Sequence, residues 1–499
     1  MSRSNSEGKR NNEQAGSAVP GGVFTGILAA LMLALDVLLV RSAMVPAKFL
    51  IPAVALLLLL VVLLGLLTHR TGKRGRFAAG VVIGILAAAG MIYGIVALNK
   101  VTSTLNTITT VSTELSHVGV YVLTDDPAET LNDLEEETFG ILTELDRTST
   151  DGAIEQLNEE LDTEITTAEY DGLTTLADAL YSQDCRAILL NSAYLDVLAE
   201  MEGYEDIEEQ IREITGLEVE ESVEETEEVE ETPISDTVFT LFISGIDSRN
   251  GLQAKSRSDV NILATVNTET HQILLVSTPR DYYVPLSISN GAKDKLTHAG
   301  IYGVSVCMDT MEMLYDIDVD YYFRVSFEGL EEIVDALGGV SVYSEYAFSS
   351  SFSDDTFVEG YNEVNGQQAL YFARERYAFA TGDRQRGKNQ MALIRAIIDK
   401  AISPDILVKY SSILTAVEDT FETSLSYDLI ASLVNNQLSS GADWDVITYS
   451  VNGSDGYDVP YSMSTANYVM IPDEETVETA KTLMQAALSG EVIAQSDAE

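Results

Sequence analysis

"DVNILATVNTETHQILLVSTPRD", residues 259–281, decides the fold. Two β-rich runs, 259–266 and 271–278, flank the turn-forming residues 267–270, which is the pattern of a β-hairpin. Upstream, "TVFTLFISGID" (237–247) is a third apolar, β-branched run that closes in Gly-x-Asp. Downstream, "GVSVCMDTMEMLYDI" (303–317) repeats apolar residues at helical spacing, and "YYFRVSF" (321–327) returns to a strand. "EGLEEIVDALGG" (328–339) reads as a helix with a glycine stop, "VSVY" (340–343) as a strand, and "KNQMALIRAIIDKAI" (388–402) as a helix. Strands alternating with helices predict an α/β fold, a mixed β-sheet flanked by helices, over 236–490.

The charged residues at the strand ends carry the functional reading. Asp247 closes the first strand and Asp259 opens the second, while Arg280 and Asp281 follow the third. If the second strand runs antiparallel to both neighbours, all four come to one edge of the sheet. The loop between the two aspartates adds Arg249 and Arg257. In "YFARERYAFATGDRQRGKNQ" (371–390), Arg374 and Arg376 are two apart on an expected strand and share a face. Asp383, Arg386 and Gln390 then lead into a helix N-terminus, which favours anions. Planar guanidinium groups fork onto phosphate oxygens, and two aspartates without thiols or imidazoles suit a hard cation, most simply Mg²⁺. Isolated surface ion pairs, each worth about 0–1 kcal/mol, would explain any one of these residues. They explain the set less well, because the arginines outnumber the nearby carboxylates. Arg384 and Lys388 read as solvent-facing charges.

The first hundred residues hold three apolar runs, 23–40, 49–68 and 77–98, each near the roughly 20 residues that span a hydrocarbon core. Asp36 lies inside the first. Arg3, Lys9 and Arg10 precede that run, and Arg70, Lys73, Arg74 and Arg76 join the second to the third; only Arg41 and Lys48 join the first to the second. The positive-inside rule then predicts a cytoplasmic tail (1–22), three transmembrane helices (23–98), and everything after Lys100 outside the cell. An external location removes ATP from the ready substrates.

Of the 29 Lys and Arg, only three fall in 101–235, against fourteen in 236–402. Residues 101–217, with "HVGVYVL" strand-like and "ETLNDLEEETFGILTEL" and "LTTLADALYSQDCRAILL" helical, read as a small α+β accessory domain unsuited to phosphate. The acidic run at 218–235, with nine glutamates, reads as a solvated linker. A formal net charge of −50 without a basic face argues against nucleic acid as a partner. Cys185 and Cys307 fall in different domains and read as separate thiols, and the four histidines show no zinc-ligand spacing. Met308, Met311 and Met313 read as helix packing.

"GIDSRNGLQAKSRSDVNILATVN", "ILLVSTPRDYYV", "DYYFRVSFEGLEEIVDALGGVSV" and "GQQALYFARERYAFATGDRQRGKNQ" together resemble the LytR–CpsA–Psr (LCP) family of Gram-positive envelope proteins. Three N-terminal spans and an accessory domain are similar to its capsule-type members. The resemblance implies an extracellular, Mg²⁺-dependent phosphotransferase in the cell membrane. Such an enzyme moves a glycopolymer, capsular polysaccharide or teichoic acid, from undecaprenyl pyrophosphate to peptidoglycan through a phosphodiester. It implies that Asp247 and Asp259 hold the metal, and that Arg257, Arg280, Arg374, Arg376, Arg386 and Gln390 bind the pyrophosphate. Arg280 then takes part in catalysis, with Asp259 or Asp281 accepting the acceptor's proton. Where many members carry Arg-Gln, this chain has Asn389-Gln390. A membrane sensor of lipid-linked glycan and a polyprenyl-pyrophosphate hydrolase are the alternatives.

Overall fold

The computed structural model describes residues 18–69, 74–108, 113–222, 238–246, 252, 254–403, 413, 416–417 and 420–498. The chain divides into two compact units. The first holds α1 (Ala18–Arg41), α2 (Ala47–His69) and α3 (Arg74–Ile108), three helices long and apolar enough to cross a membrane. Small residues let them approach: a Cβ at Gly84 would lie 2.5 Å from the Phe24 ring, and the Thr25 and Thr68 hydroxyls meet at 3.2 Å.

Among the described residues the second unit contains two large sheets and four two-stranded ones. Its N-terminal part is a five-stranded mixed sheet of β1 (Thr113–Leu123), β2 (Thr138–Leu142), β3 (Thr166–Tyr170), β4 (Ala187–Asn191) and β5 (Ile211–Ser222), ordered β3-β2-β4-β1-β5. Helices α4 (Arg147–Leu161), α5 (Leu173–Tyr181) and α6 (Ala193–Ala199) accompany it. "ETLNDLEEETFGILTEL" departs from its helical reading: only Leu131–Leu134 forms a 3-10 turn, and "TFGIL" is β2. Leu131 and Leu134 are buried by that single turn, while all of β2 after Thr138 is buried as a pleated strand. Likewise "RAILL" leaves α5 to become the buried strand β4. The acidic run begins inside β5, which carries Glu218, Glu220 and Glu221; residues 223–237 lie outside the described residues.

The second sheet joins β6 (Val238–Ile246), β7 (Ser258–Asn267), β8 (Gln272–Thr278), β11 (Tyr321–Ser326), β14 (Phe421–Thr423) and β15 (Asp445–Ser450), in the order β14-β11-β6-β7-β8-β15. Short strands β9 (Tyr283–Pro285), β10 (Lys293–Lys295), β12 (Val340–Ser344) and β13 (Gly360–Val364) lie outside it. Strand β7 is antiparallel to β6 and to β8, as the hairpin reading expects, whereas β6–β11 and β8–β15 are parallel. Asn267 closes the hairpin, its side-chain oxygen accepting the Glu269 and Thr270 N–H groups at 3.0 and 3.1 Å. β8 is buried along its whole length, which is why it reads as a continuous apolar run rather than an alternating one. Helices α7 (Val304–Tyr315) and α12 (Glu474–Leu488) supply Met308, Met311, Tyr315, Val477 and Met484 to the core against Phe242, Leu274 and Val276. Met313 is exposed. Further helices are α8 (Phe327–Ala336), α9 (Gly366–Arg374) and α10 (Asp383–Ala401) in this unit and α11 (Tyr427–Ser440) in the first.

The two parts of this unit share a seam. Ile301 and Met463 join the accessory core of Leu176, Leu190 and Tyr194. The Lys255 N–H donates to the Leu115 carbonyl at 2.9 Å. Both cysteines are free and buried.

Candidate phosphate-binding site

The hairpin builds the first wall of the site. Its register pairs Asn261 with Thr278, so Asp259, two residues before Asn261, faces Arg280, two residues beyond Thr278. Arg280 Nη1 donates to Asp259 Oδ1 at 3.0 Å, and the Thr297 hydroxyl donates to the same oxygen at 3.1 Å. The Thr297 N–H in turn donates to the Arg280 carbonyl at 2.9 Å, tying this turn to the strand end. Arg280 Nε lies 3.7 Å from Asp281, whose other oxygen is 3.8 Å from Lys295 Nζ. These groups are mostly buried, with side-chain exposures of 15% for Arg280, 11% for Asp259 and 10% for Asp281.

Helix α10 builds the second wall. Asp383, Arg386 and Gln390 stand at i, i+3 and i+7 and so share one face; Arg386 pairs with Asp383. Gly387 faces β8, where a Cβ would sit 3.7 Å from the Ser277 hydroxyl, an ordinary contact distance. Between the walls is a cleft of about 340 Å³, lined by Asp259, Arg280, Asp383, Arg386 and Gln390, with Tyr346 and Asn452 also on its surface.

The electrostatics are those of a concentrated, partly desolvated charge cluster. Burial alone would raise the Asp259 carboxyl, but Arg280, Arg257 and Arg386 outweigh it and hold it below the usual range. For Asp281 burial wins, and its carboxyl is pushed up despite Arg280 and Lys295. Burial also pulls the Arg386 guanidinium below its ordinary value; Asp383 opposes this and Arg280 adds to it. A cation penalised in this way gains from an incoming anion.

The structure therefore brings Asp259, Arg280, Arg386 and Gln390 to one cleft, with Asp281 directly behind Arg280. It does not bring Arg374 or Arg376 there. "GQQALYFAR" is helix α9 rather than a strand, capped by Asn365 and Gln368 and burying Ala369, Phe372 and Ala373 at helical spacing. The Arg374 guanidinium lies over the Phe327 and Phe352 rings at 5.0 and 5.2 Å, and Arg376 stacks on Tyr377 at 4.7 Å. The buried Glu375 between them accepts from the Ala378 N–H at 3.0 Å and from Ser351. Asp247 and Arg249 lie outside the described residues. Arg384 reaches the Gly453 carbonyl at 2.7 Å and Lys388 reaches Glu345 at 3.2 Å; both are well exposed, but both also line the cleft, which reading them as solvent-facing charges alone misses.

Arg257 lies outside the cleft lining and turns to the five-stranded-sheet part of the unit, where Nη1 meets Glu200 at 2.6 Å and Nη2 lies 3.4 Å from Asp196. Glu200 also takes Lys295 Nζ at 2.7 Å. Sequence reasoning missed Glu200, Lys295 and Thr297. Glu200 is 57 positions from Arg257, and no local pattern joins them. A buried Asp294–His298–Ser462 group resembles a nucleophilic triad by composition only. Asp294 and the Ser462 hydroxyl both meet Nδ1 of His298, at 2.7 and 2.8 Å, so no base faces the serine from Nε2. Its task is to brace the turn that carries Lys295 and Thr297: the Lys295 and Ser462 N–H groups donate to Asp294 at 2.7 and 2.9 Å.

The described residues thus form a mixed β-sheet flanked by helices, with guanidinium and carboxylate groups converging on a cleft at one edge. The LytR_cpsA_psr family model matches residues 210–486, more than half of the chain, and the chain belongs to this family. Among its curated relatives is the polyisoprenyl-teichoic acid–peptidoglycan teichoic acid transferase TagU of Enterococcus faecalis, 38% identical over 192 residues, which cover 38% of this chain and 62% of that one. The protein of the same name from Bacillus subtilis is 35% identical over 191 residues, 38% of this chain and 61% of that one. The chain thus spans about three fifths of the length of these relatives. The crystal structure of TagV from B. subtilis aligns with a TM-score of 0.44 and 26% identity, over 52% of this chain and 99% of that one.

Proposed function

We propose that this protein is a membrane-anchored phosphotransferase that moves a glycopolymer from a polyprenyl pyrophosphate carrier to peptidoglycan, forming a phosphodiester. The observation that carries the reading is the convergence of Asp259, Arg280, Arg386 and Gln390 on one cleft at the sheet edge. Membership of the family supports it, as do relatives named for teichoic acid transfer to peptidoglycan. In the reaction, a hydroxyl oxygen of the acceptor bonds to the glycan-side phosphorus. The P–O bond to the lipid-side phosphate breaks, polyprenyl phosphate leaves, and the hydroxyl proton passes to a carboxylate of the cluster. Arg280 and Arg386 neutralise the two phosphates, which is where such a displacement needs help. Of the two carboxylates expected to take the proton, Asp259 lines the cleft and Asp281 stands one ion pair behind it.

A hard divalent ion, Mg²⁺, is proposed on Asp259 alone among the described residues, which hold no group of three or more His, Cys, Asp or Glu placed to bind a metal. Asp259 Oδ1 is engaged by Arg280 and Thr297, while Oδ2 has no hydrogen-bond partner among the described residues and is a hard oxygen ligand. Asp259 with Asp247 would hold the ion, which when bound would supply further neutralisation of phosphate charge. The anchor belongs to the same scheme, since a polyprenyl carrier stays in the bilayer. An external orientation, with the N-terminus cytoplasmic, places the site beside the wall.

The test uses the full chain in lipid nanodiscs with Mg²⁺, a polyprenyl-pyrophosphoryl glycan and a peptidoglycan acceptor. Wild type should form glycan-phosphate-peptidoglycan. Arg280→Ala should fold and lose transfer by about a hundredfold or more, the scale of removing one charge-stabilising group. Equal transfer by this variant would remove the site assignment. Release of glycan phosphate to water in place of transfer would make the protein a hydrolase.

A further inference from the structure

Arg257 is an expected phosphate ligand, yet its guanidinium is clasped by two carboxylates of the accessory domain. We propose that Glu200 is a positioning residue for phosphate binding: from the accessory domain it holds Arg257 and Lys295 beside the Asp281–Arg280–Asp259 chain. This inference rests on the anion-binding reading of the cleft and adds that the accessory domain is a working part of the site.

Three observations carry it. Glu200 is bound on every side, with Arg257 on Oε1 at 2.6 Å and Lys295 on Oε2 at 2.7 Å, and its backbone carbonyl accepts from Asn467 at 2.6 Å. Asn467 Oδ1 also accepts from Lys295 Nζ at 3.0 Å, which closes a ring of contacts around the two cations. Second, the cluster is internal rather than a surface contact: Lys295 is 3% exposed, Arg257 14% and Glu200 21%. A lysine that buried has a fixed position, and Glu200 sets it. Third, the ion pairs continue without a break from Glu200 through Lys295, Asp281 and Arg280 to Asp259 on the cleft wall. Arg257 also acts on the Asp259 carboxyl directly. Glu200 is held too firmly to act as a carboxylate that phosphate displaces. It behaves as a bracket.

The experiment measures binding of inorganic pyrophosphate to the full chain in nanodiscs, with Mg²⁺, by calorimetry. Glu200→Gln should weaken binding about tenfold, the scale of losing a charge-assisted hydrogen bond. The same change should add less than about twofold where Arg257→Ala and Lys295→Met are already present, because Glu200 acts through those two cations. An equal loss in both backgrounds overturns the proposal, as do unchanged or tighter binding by Glu200→Gln and a wild type that does not bind pyrophosphate. If Glu200→Gln fails to fold, Asp196→Asn takes its place. It touches Arg257 from a more exposed carboxylate and should weaken binding about threefold; unchanged binding overturns the idea. A protein that binds pyrophosphate in this pattern but transfers nothing to peptidoglycan sinks the transferase reading and leaves this one standing. A protein that transfers normally, with Glu200→Gln binding like wild type, does the reverse.

Discussion

Asp259 and Arg280 show how far single residues can be placed by sequence. Each follows from counting along strands of period two in a hairpin whose turn is local, so their 3.0 Å contact is implicit in the string. Glu200 is the opposite case, because nothing near it in sequence names its partners. Its ionisation has a measurable consequence. Burial opposes its charge, but Lys295, Arg257 and His298 hold it down from 4.5 to about 2. A depressed carboxylate contributes stability that is fully present above the unfolded value and is lost as pH falls through the folded one. The melting temperature of wild type should therefore exceed that of Glu200→Gln at pH 7. The gap should close between pH 4.5 and about 2, read by thermal unfolding across that range. A gap that stays constant with pH would mean that Glu200 is not held charged by these cations.

An element is specified more firmly the more residues share its periodicity. The long apolar runs of β6, β7 and β8 could be nothing but buried strands, and α7 and α10 repeat their apolar residues over several turns. Short segments were less constrained. "YFARER" allows a strand with two arginines on one face, and the N-terminal cap at Asn365 together with burial of Phe372 made it the end of a helix. Strand β14 is another short piece, three residues long, held to β11 in a register that sets Arg324 against Glu422. Their side chains pair at 2.6 Å and are 3% and 4% exposed. Arg324 also donates to the Leu252 carbonyl, so this pair braces the loop that leads to Arg257. Glu422→Ala leaves a buried guanidinium without that carboxylate and should cost roughly 3–5 kcal/mol. Chemical denaturation would measure it. A loss under about 1 kcal/mol would show that the pair is solvated, as surface pairs are.

The whole molecule joins a membrane unit to a two-sheet unit, and the chain moves between them more than once. After α10 it enters the membrane unit, returns for β14, leaves again for α11, and comes back for β15. Within the membrane unit α11 lies against the turn between α1 and α2: Asn435 donates to the Ala43 carbonyl at 2.7 Å and Tyr427 to that of Ser42 at 3.3 Å. With the three helices crossing a bilayer, that turn and α11 would share one side of it, and the positive-inside rule predicts the external side. A C-terminal fusion to a reporter active only in the cytoplasm should stay silent, and one active only outside should light up. The converse result would invert the topology and remove the site from the wall. Short-range periodicity is enough for the three apolar helices, the central hairpin and the strand ends that carry Asp259 and Arg280, whereas Arg386 and Gln390 reach the same cleft only because α10 packs beside β8. Long-range packing alone seats Arg374 and Arg376 on aromatic rings and brings Glu200 to Arg257 and Lys295. Those outcomes depend on which surfaces pack together across scores of residues, and a buried charge takes whatever partner that packing leaves within reach.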